Sequence, residues 1–528
     1  MSLQRVDRSE IPPDTAELGQ KLLAEDDPYR LIGDRLGDLI SDEDFTDLYD
    51  STGGPALSPT ILSLVTVFQE MEKLPDRAAA RAVRVRLDWK YALHLPLDWE
   101  GFHFTNLNHF RQRLLENEAE YRVFDRLIQD LVELGFVRCR GPQRTDSMKV
   151  LGQVAKLNRL ELVWETMRVT VRALLVADET WSQTTLPDSF RQQYQLKQRS
   201  YQLSKAEVEA ALRQAGADGL WLLQQVAQGP AALQELPEVV TMRTVWEQQF
   251  ELDEHGQYNG PRTKVDPHGL IQSPHEPEVR YRQKRGQGWQ GYVAQVTETA
   301  EEKGEPNFIT DVAVTDAQVS DVNALPEVQA RLAERDVPPK EQYVDQAYVS
   351  GSRLAESAEA GIELIGPVAG EGGSCEFKLS DFTVDVGQRQ ATCPAGQQAE
   401  RWSVSTRSDG TQAYTAHFGN QCATCSFRAQ CTEAAAGRTI TTHQHHDQVV
   451  ARRAEMETAE FWHKMKRRPP VEGTISQLAR QGARRARYRG LRKVNLQLVF
   501  TAVAVNLKRL LCAWTLGRKP RWQSATAG

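Results

Sequence analysis

The sequence predicts a multi-domain α/β protein, and three observations carry that expectation. Its 528 residues exceed what one hydrophobic core usually serves, since single domains run to about 100–200 residues. Apolar residues recur at helical spacing between Ser58 and Gly135. From Arg138 to Pro367 the texture changes to short apolar strands mixed with helices. A composition of 40% hydrophobic and 26% charged residues suits folded domains and argues against wholesale disorder. The formal charge of −7 excludes a uniformly basic nucleic-acid coat and leaves a local basic surface open.

Along the chain, residues 1–55 form an acidic arm, with 14 acids against 5 bases in residues 1–50; it is expected either to shield a basic partner surface or to be a solvated helical arm. Met1 to Arg30 has no apolar stretch after a basic start, so no secretory signal is expected. Ser58-Pro59 then supplies an N-cap and a first-turn proline for a helix carrying Ile61, Leu62, Val65, Phe68 and Met71. Helices follow from Ala78, Asn106 and Phe124, the last closed by Gly135. In this helical unit Arg111 and Arg113, with Arg81, Arg84 and Arg86, could face DNA phosphates as in helix-turn-helix modules, or simply be solvated on a helical bundle.

Strands are expected at Arg144 to Val150, Tyr292 to Thr297, Phe308 to Thr315 and Tyr343 to Asp345. A Gln-rich helical insertion over about 185–265 interrupts them. The run YVDQAYVSGSRLAESAEAGIELIGPV reads as a β-α-β crossover with parallel strands, in which ligands gather at strand carboxyl ends, where Asp345 falls. The most apolar run, Leu496 to Val505, is about half the ~20 residues that a membrane-spanning helix needs, so no span and a cytoplasmic location are expected.

Three carboxylates stand in distinctive surroundings: Asp146 in RTDSMKV, Asp345 in YVDQAY and Glu472 in RRPPVEGTISQL. Asp146 and Asp345 are single charges in strand-like runs, a costly place for a carboxylate unless something positive is bound. Glu472 occupies a first helical turn, which the helix dipole alone would explain. Four cysteines, Cys393, Cys422, Cys425 and Cys431, share a 39-residue window. Their C-x2-C core suits a closed four-thiolate Zn²⁺ site of structural type, with unpaired buried thiols the alternative. Residues 451–528 hold 18 bases against 4 acids. Within them Arg480, Arg484, Arg485, Arg487, Arg489, Arg492 and Lys493 form a run without an acid, expected either to track a DNA backbone or to be a solvated face, with Tyr488 placed to stack on an unpaired base.

The order of these segments resembles bacterial insertion-sequence transposases of the DDE type with an RNase H-like core, closest to the IS eleven-eighty-two type. The residues that carry the likeness run from LSPTILSLVTVFQEMEKLPDRAAARAVRVRLDWKYALHLPLD and FTNLNHFRQRL, through RTDSMKV and SPHEPEVRYRQKRGQGWQGYVAQVTET, to YVDQAYVSG and VEGTISQLARQGARRARYRGLRKVNLQLVFTAVAVNLKRLL. It spans about residues 55–512. The resemblance implies that Asp146, Asp345 and Glu472 hold two Mg²⁺ or Mn²⁺ ions, with Arg468 as the arginine of a Tyr-x2-Arg-x3-Glu signature. It implies double-stranded DNA as partner, both transposon inverted repeats and target, a homodimer on that DNA, and a CPAG…C-x2-C zinc element.

The implied units are an acidic arm (1–55), a helical DNA-binding domain (56–137), a first stretch of the RNase H-like core (138–184), a helical insertion (185–265), a second stretch of that core (266–367), a Cys-rich insertion (368–450) and basic C-terminal helices (451–528). The chain departs from the pattern where Met465 replaces the tyrosine, Ala479 a lysine with Arg480 beside it, and Val293 and Gln295 a lysine and a histidine. Pro469-Pro470 is expected to break the i to i+4 pairing of Arg468 with Glu472. The implied activity is metal-dependent cleavage at transposon ends followed by strand transfer. The competing readings are a stand-alone RNase H-like nuclease and a catalytically degraded, zinc-containing DNA-binding protein.

Overall fold

A six-stranded mixed sheet forms the centre of the chain, and every expected strand belongs to it. The computed structural model describes residues 2–3, 10–35, 40–50, 52–254, 257–284, 286–302, 304–372, 375–407 and 410–518. The sheet strands are β1 (Gln143–Leu151), β2 (Arg280–Lys284), β3 (Gln287–Thr299), β4 (Ile309–Asp316), β5 (Glu341–Tyr343) and β6 (Glu363–Ile365). Long β3 pairs antiparallel with β1 on one side; on the other its first half pairs with β2 and its second half with β4. β5 then runs parallel to β1, and β6 parallel to β5 across helix Gly351–Glu359, the crossover that the sequence requires.

Ser58 accepts a hydrogen bond from the Ile61 amide and starts helix Pro59–Glu72. The apolar faces of this helix and of Arg122–Glu133 join β1, β3, β4 and helix Leu491–Thr515 in one continuous core containing Phe68, Leu127, Val150, Val296, Val312 and Val499. The helical unit is therefore not separately cored. Nor is residue 55 a boundary: Tyr29, Ile32, Phe45 and Leu48 lie in that same core, and Tyr29 and Trp89 pack on Phe68 with ring centroids at 5.0 and 5.3 Å. Of the acidic residues described in this segment, Asp14, Glu17 and Asp34 lie on the solvent face of docked helices.

The helical insertion starts earlier than 185. Asn158 and Glu161 close a reciprocal capping box that opens helix Arg159–Ala177, and this helix is the spine of a separate apolar cluster with Lys205–Gln228 and Pro237–Gln249. The Cys-rich segment builds a three-stranded sheet (Arg401–Thr406, Gln412–His417, Thr439–His443) over a small cluster around Phe382 and Phe418.

Helix Leu491–Thr515 is long and apolar enough to cross a membrane, and in the fold it is a buried core helix. Its two internal asparagines explain why. Asn506 accepts from the Ile309 amide and donates to the Ile309 carbonyl, each at 2.8 Å, and Asn495 accepts from the Val314 amide at 2.9 Å. The helix, together with the Tyr121 hydroxyl on the Val312 carbonyl, thus supplies hydrogen bonds to the outer edge of β4 and covers an edge that would otherwise be a pairing template.

Because Phe68 sits at the junction of the N-terminal segment and the shared core, Phe68→Ala is expected to cost about 3–5 kcal/mol, read from the urea unfolding midpoint. Tyr29→Ala is expected to destabilise as well; a change within about 0.5 kcal/mol, as for a surface site, would mean that the segment is a separable arm.

Candidate active site

β1, the end of β5 and the start of helix Val471–Arg480 bring Asp146, Asp345 and Glu472 to one cleft of about 790 Å³. Asp146 lies mid-strand; its Oδ1 accepts from the Ser147 amide at 2.8 Å. Asp345 follows β5 and caps the turn Gln346–Tyr348, accepting from the Ala347 amide at 2.9 Å. Glu472 stands exposed in the first turn of its helix.

One guanidinium spans all three. Arg468 Nη2 donates to Asp146 Oδ2 at 2.6 Å and lies 3.9 Å from Asp345 Oδ2, and Nη1 donates to Glu472 Oε1 at 2.9 Å. The expectation that the prolines break the Arg468–Glu472 pair is therefore corrected. Pro469 and Pro470 need no amide bond at a helix start; the amides of Val471, Glu472 and Gly473 close successive tight turns onto the carbonyls of residues 468–470. Each donor reaches three residues back, so the chain winds continuously into the helix and residues 468 and 472 stay on one face.

Burial pushes the Asp146 carboxyl above the usual carboxylate range, Arg468 pulls it partly back, and the charge of Asp345 adds to the rise. The other departures from the family pattern are absorbed locally. Met465 packs against the cluster of Tyr343, Ile365 and Phe461, and Ala479 against the main core. Val293 lies on the cleft wall. Gln295 is buried, accepting from the Tyr348 hydroxyl.

Lys149, Arg282, Lys284, Trp289 and Arg484 also line the cleft, none of them singled out by sequence except Arg484. The Leu151 amide donates to the Arg484 carbonyl and the Ala486 amide to the Leu151 carbonyl, pinning the basic run to the end of β1. Arg480, Arg485, Arg489 and Lys493 lie along the same run, all four exposed. Four further arginines are engaged within the chain. Arg111 is buried, paired with Asp76 at 2.5 Å and set over the Tyr488 ring, so neither it nor Tyr488 is an open contact. Arg113 donates to the Leu48 carbonyl, Arg487 to Glu70 and Arg492 to Glu120. These four arginines are held in internal contacts with neighbouring segments.

Cys393, Cys422, Cys425 and Cys431 are free thiols lining one small cavity with Phe377 and Arg438. Burial pushes the Cys431 thiol up. Cys375, which reads as an ordinary residue in sequence, adjoins the group through Arg438 Nη1 at 3.1 Å. Among the described residues no three His, Cys, Asp or Glu side chains stand in a metal-holding arrangement. At the carboxylate cleft the donor set is nevertheless all oxygen, the ligand type that hard divalent cations take.

A family model described as a transposase DDE domain matches residues 392–511, which include Arg468, Glu472 and the four cysteines, and one described as transposase domain (DUF772) matches residues 17–113. No curated protein and no solved structure matches the chain. A mixed α/β protein with these two matches is a transposase, an enzyme that cleaves DNA. Together the two matches support an insertion-sequence transposase of the DDE type.

A raised carboxyl favours the protonated form in the folded state. The penalty on the folded protein is absent below the ordinary carboxylate range and grows as pH rises through the raised value. Metal-free Asp146→Asn is therefore expected to melt above wild type near neutral pH, the gap closing on acidification, as followed by calorimetry. Added Mn²⁺ is expected to raise the Tm of wild type and leave that of the variant unmoved.

Proposed function

We propose that this transposase uses Asp146, Asp345 and Glu472 for metal-dependent hydrolysis at transposon ends, followed by transfer of the freed 3′-hydroxyl into target DNA. The observation that carries the reading is the convergence of all three carboxylates on the Arg468 guanidinium within one cation-lined cleft. Two divalent ions, Mg²⁺ or Mn²⁺, would there stabilise the attacking and leaving oxygens of an in-line displacement.

The chain's own residues do the rest. Asp146 on its strand and Asp345 in the turn just beyond β5 would supply oxygen ligands from a fixed backbone. Glu472, the most exposed of the three, completes the set from the helix. Lys149 and Arg484 are the cleft cations that would hold the scissile phosphodiester. In the first step water attacks phosphorus and the bond to the 3′ oxygen breaks, freeing a 3′-hydroxyl and leaving a 5′-phosphate; in the second that 3′ oxygen attacks a target phosphodiester, the target's own P–O3′ bond breaks and the target strand leaves with a 3′-hydroxyl. No covalent protein intermediate is required.

The sheet order, with its crossover through β5 and β6, supports an RNase H-like core. Two ends cut in concert call for a homodimer on double-stranded DNA. The shared cavity of the four cysteines supports a structural Zn²⁺, whose thiols would have to draw together around the ion.

The test is nicking and joining of DNA carrying the element's ends with Mg²⁺ or Mn²⁺. Asp146→Asn, Asp345→Asn and Glu472→Gln are each expected to lower both by about a thousandfold or more, the scale of several kcal/mol of lost charge stabilisation. Binding without cutting under any metal would sink the reading, and cutting without joining would leave a nuclease. Arg484→Ala is expected to reduce the salt slope of DNA binding by about 1, whereas Arg111→Ala is expected to lower stability and leave that slope unchanged.

A further inference from the structure

We infer that Glu298 is a positioning residue for the catalytic cleft, its carboxylate fixing the strand of Asp146, the helix of Glu472 and the turn of Arg468 relative to one another. The inference rests on the metal-dependent reading above. Glu298 lies on β3 directly opposite Arg144 of β1, and it is fully buried. Its Oε1 accepts from Arg144 Nε at 2.7 Å. Its Oε2 accepts from Arg509 Nη1 at 2.9 Å and from the Thr474 hydroxyl. Arg509 Nη2 also donates to Thr474 Oγ1 at 2.5 Å, closing the group.

Each arm ends beside a residue of the site. Arg144 precedes Asp146 by two positions, so both project from the same face of β1. Thr474 follows Glu472 by two positions on its helix. Arg144 Nη1 donates to the Arg467 carbonyl at 3.0 Å, the peptide that leads into Arg468. Arg509 brings in the C-terminal helix that covers β4. Glu298 does not line the cleft; with Arg144, Thr474 and Arg509 it lines a separate cavity of about 290 Å³. It is therefore no ligand. A neutral side chain at this fully buried position would leave the two guanidiniums without a countercharge. Partners of this kind set the orientation of metal ligands, and their loss typically costs about 10–100-fold in metal affinity or activity.

The experiment titrates Mn²⁺ into the full chain by electron paramagnetic resonance, without DNA, and measures DNA nicking against Mn²⁺ concentration. Wild type, Glu298→Gln and Thr474→Val are compared, with Asp146→Asn marking the site-specific signal. Folding is verified by circular dichroism and Tm. The half-saturating Mn²⁺ concentration is expected to rise about 10–100-fold in Glu298→Gln and to rise in Thr474→Val, while metal-free DNA affinity stays at the wild-type value. A folded Glu298→Gln that saturates at the wild-type Mn²⁺ concentration overturns the inference. If Glu298→Gln does not fold, Thr474→Val decides by the same criterion, since it cuts only the link to the Glu472 helix. Wild type that binds Mn²⁺ but never nicks DNA counts against the functional reading alone, and the Mn²⁺ comparison still decides the positioning role. Wild type without an Asp146-dependent Mn²⁺ signal overturns both.

Discussion

Three carboxylates in a common cleft repel one another, and the cleft keeps its shape because a single guanidinium answers all of them. Arg468 reaches Asp146 on the sheet, Asp345 after the crossover strand and Glu472 on a helix more than 300 residues from Asp146 in sequence. At a separation of 2.6–3.9 Å in a partly dry site such contacts are far stronger than on an open surface. Under the proposed metal-dependent reading, this guanidinium and the metal ions would compete for the same carboxylate oxygens.

Around that constraint the fold divides its labour between a rigid floor and a late-arriving wall. The floor is β1 with β3 and β5, whose ladder registers fix Asp146 and the approach to Asp345. The wall is the C-terminal segment, which carries Arg468, Glu472 and the basic run and is anchored by helix Leu491–Thr515 through the core. Buried polar contacts tie the two: the Glu298 group below the site, and Asn495 and Asn506 along β4. Both oxygens of Glu298 and the side-chain amides of Asn495 and Asn506 all find partners, as most groups buried this deeply do.

The acids are legible in sequence because each breaks a local rule, a lone charge in a strand-like run or a glutamate behind a proline pair. Glu298 breaks the same rule in VTET and still escapes notice, since nothing in a single strand reveals that its neighbour across the ladder is Arg144. The Arg468–Glu472 pair is hidden because proline reads as a breaker where the chain uses it as a helix start. Arg111 is hidden because helical periodicity gives the spacing of a face, not whether a long cationic side chain bends inward to an acid such as Asp76. The insertion boundary does have a signal in the sequence, Asn158 with Glu161 three residues on, but the Gln-rich composition that marks the insertion begins only later. The resemblance does not foretell that the N-terminal helices share a core with the C-terminal helix.

The edge of β4 has a further consequence for how the molecule is made. Its hydrogen-bond partner Asn506 lies 197 residues beyond Ile309. At about 5–20 residues per second of synthesis, the nascent sheet waits roughly 10–40 s with a bare apolar edge before the residues that cover it leave the ribosome. Through that interval the chain depends on chaperones or on dilution to avoid pairing with its own copies. A burst of expression would lose much of its product to aggregates, so the yield of active enzyme would rise less than in proportion to its message.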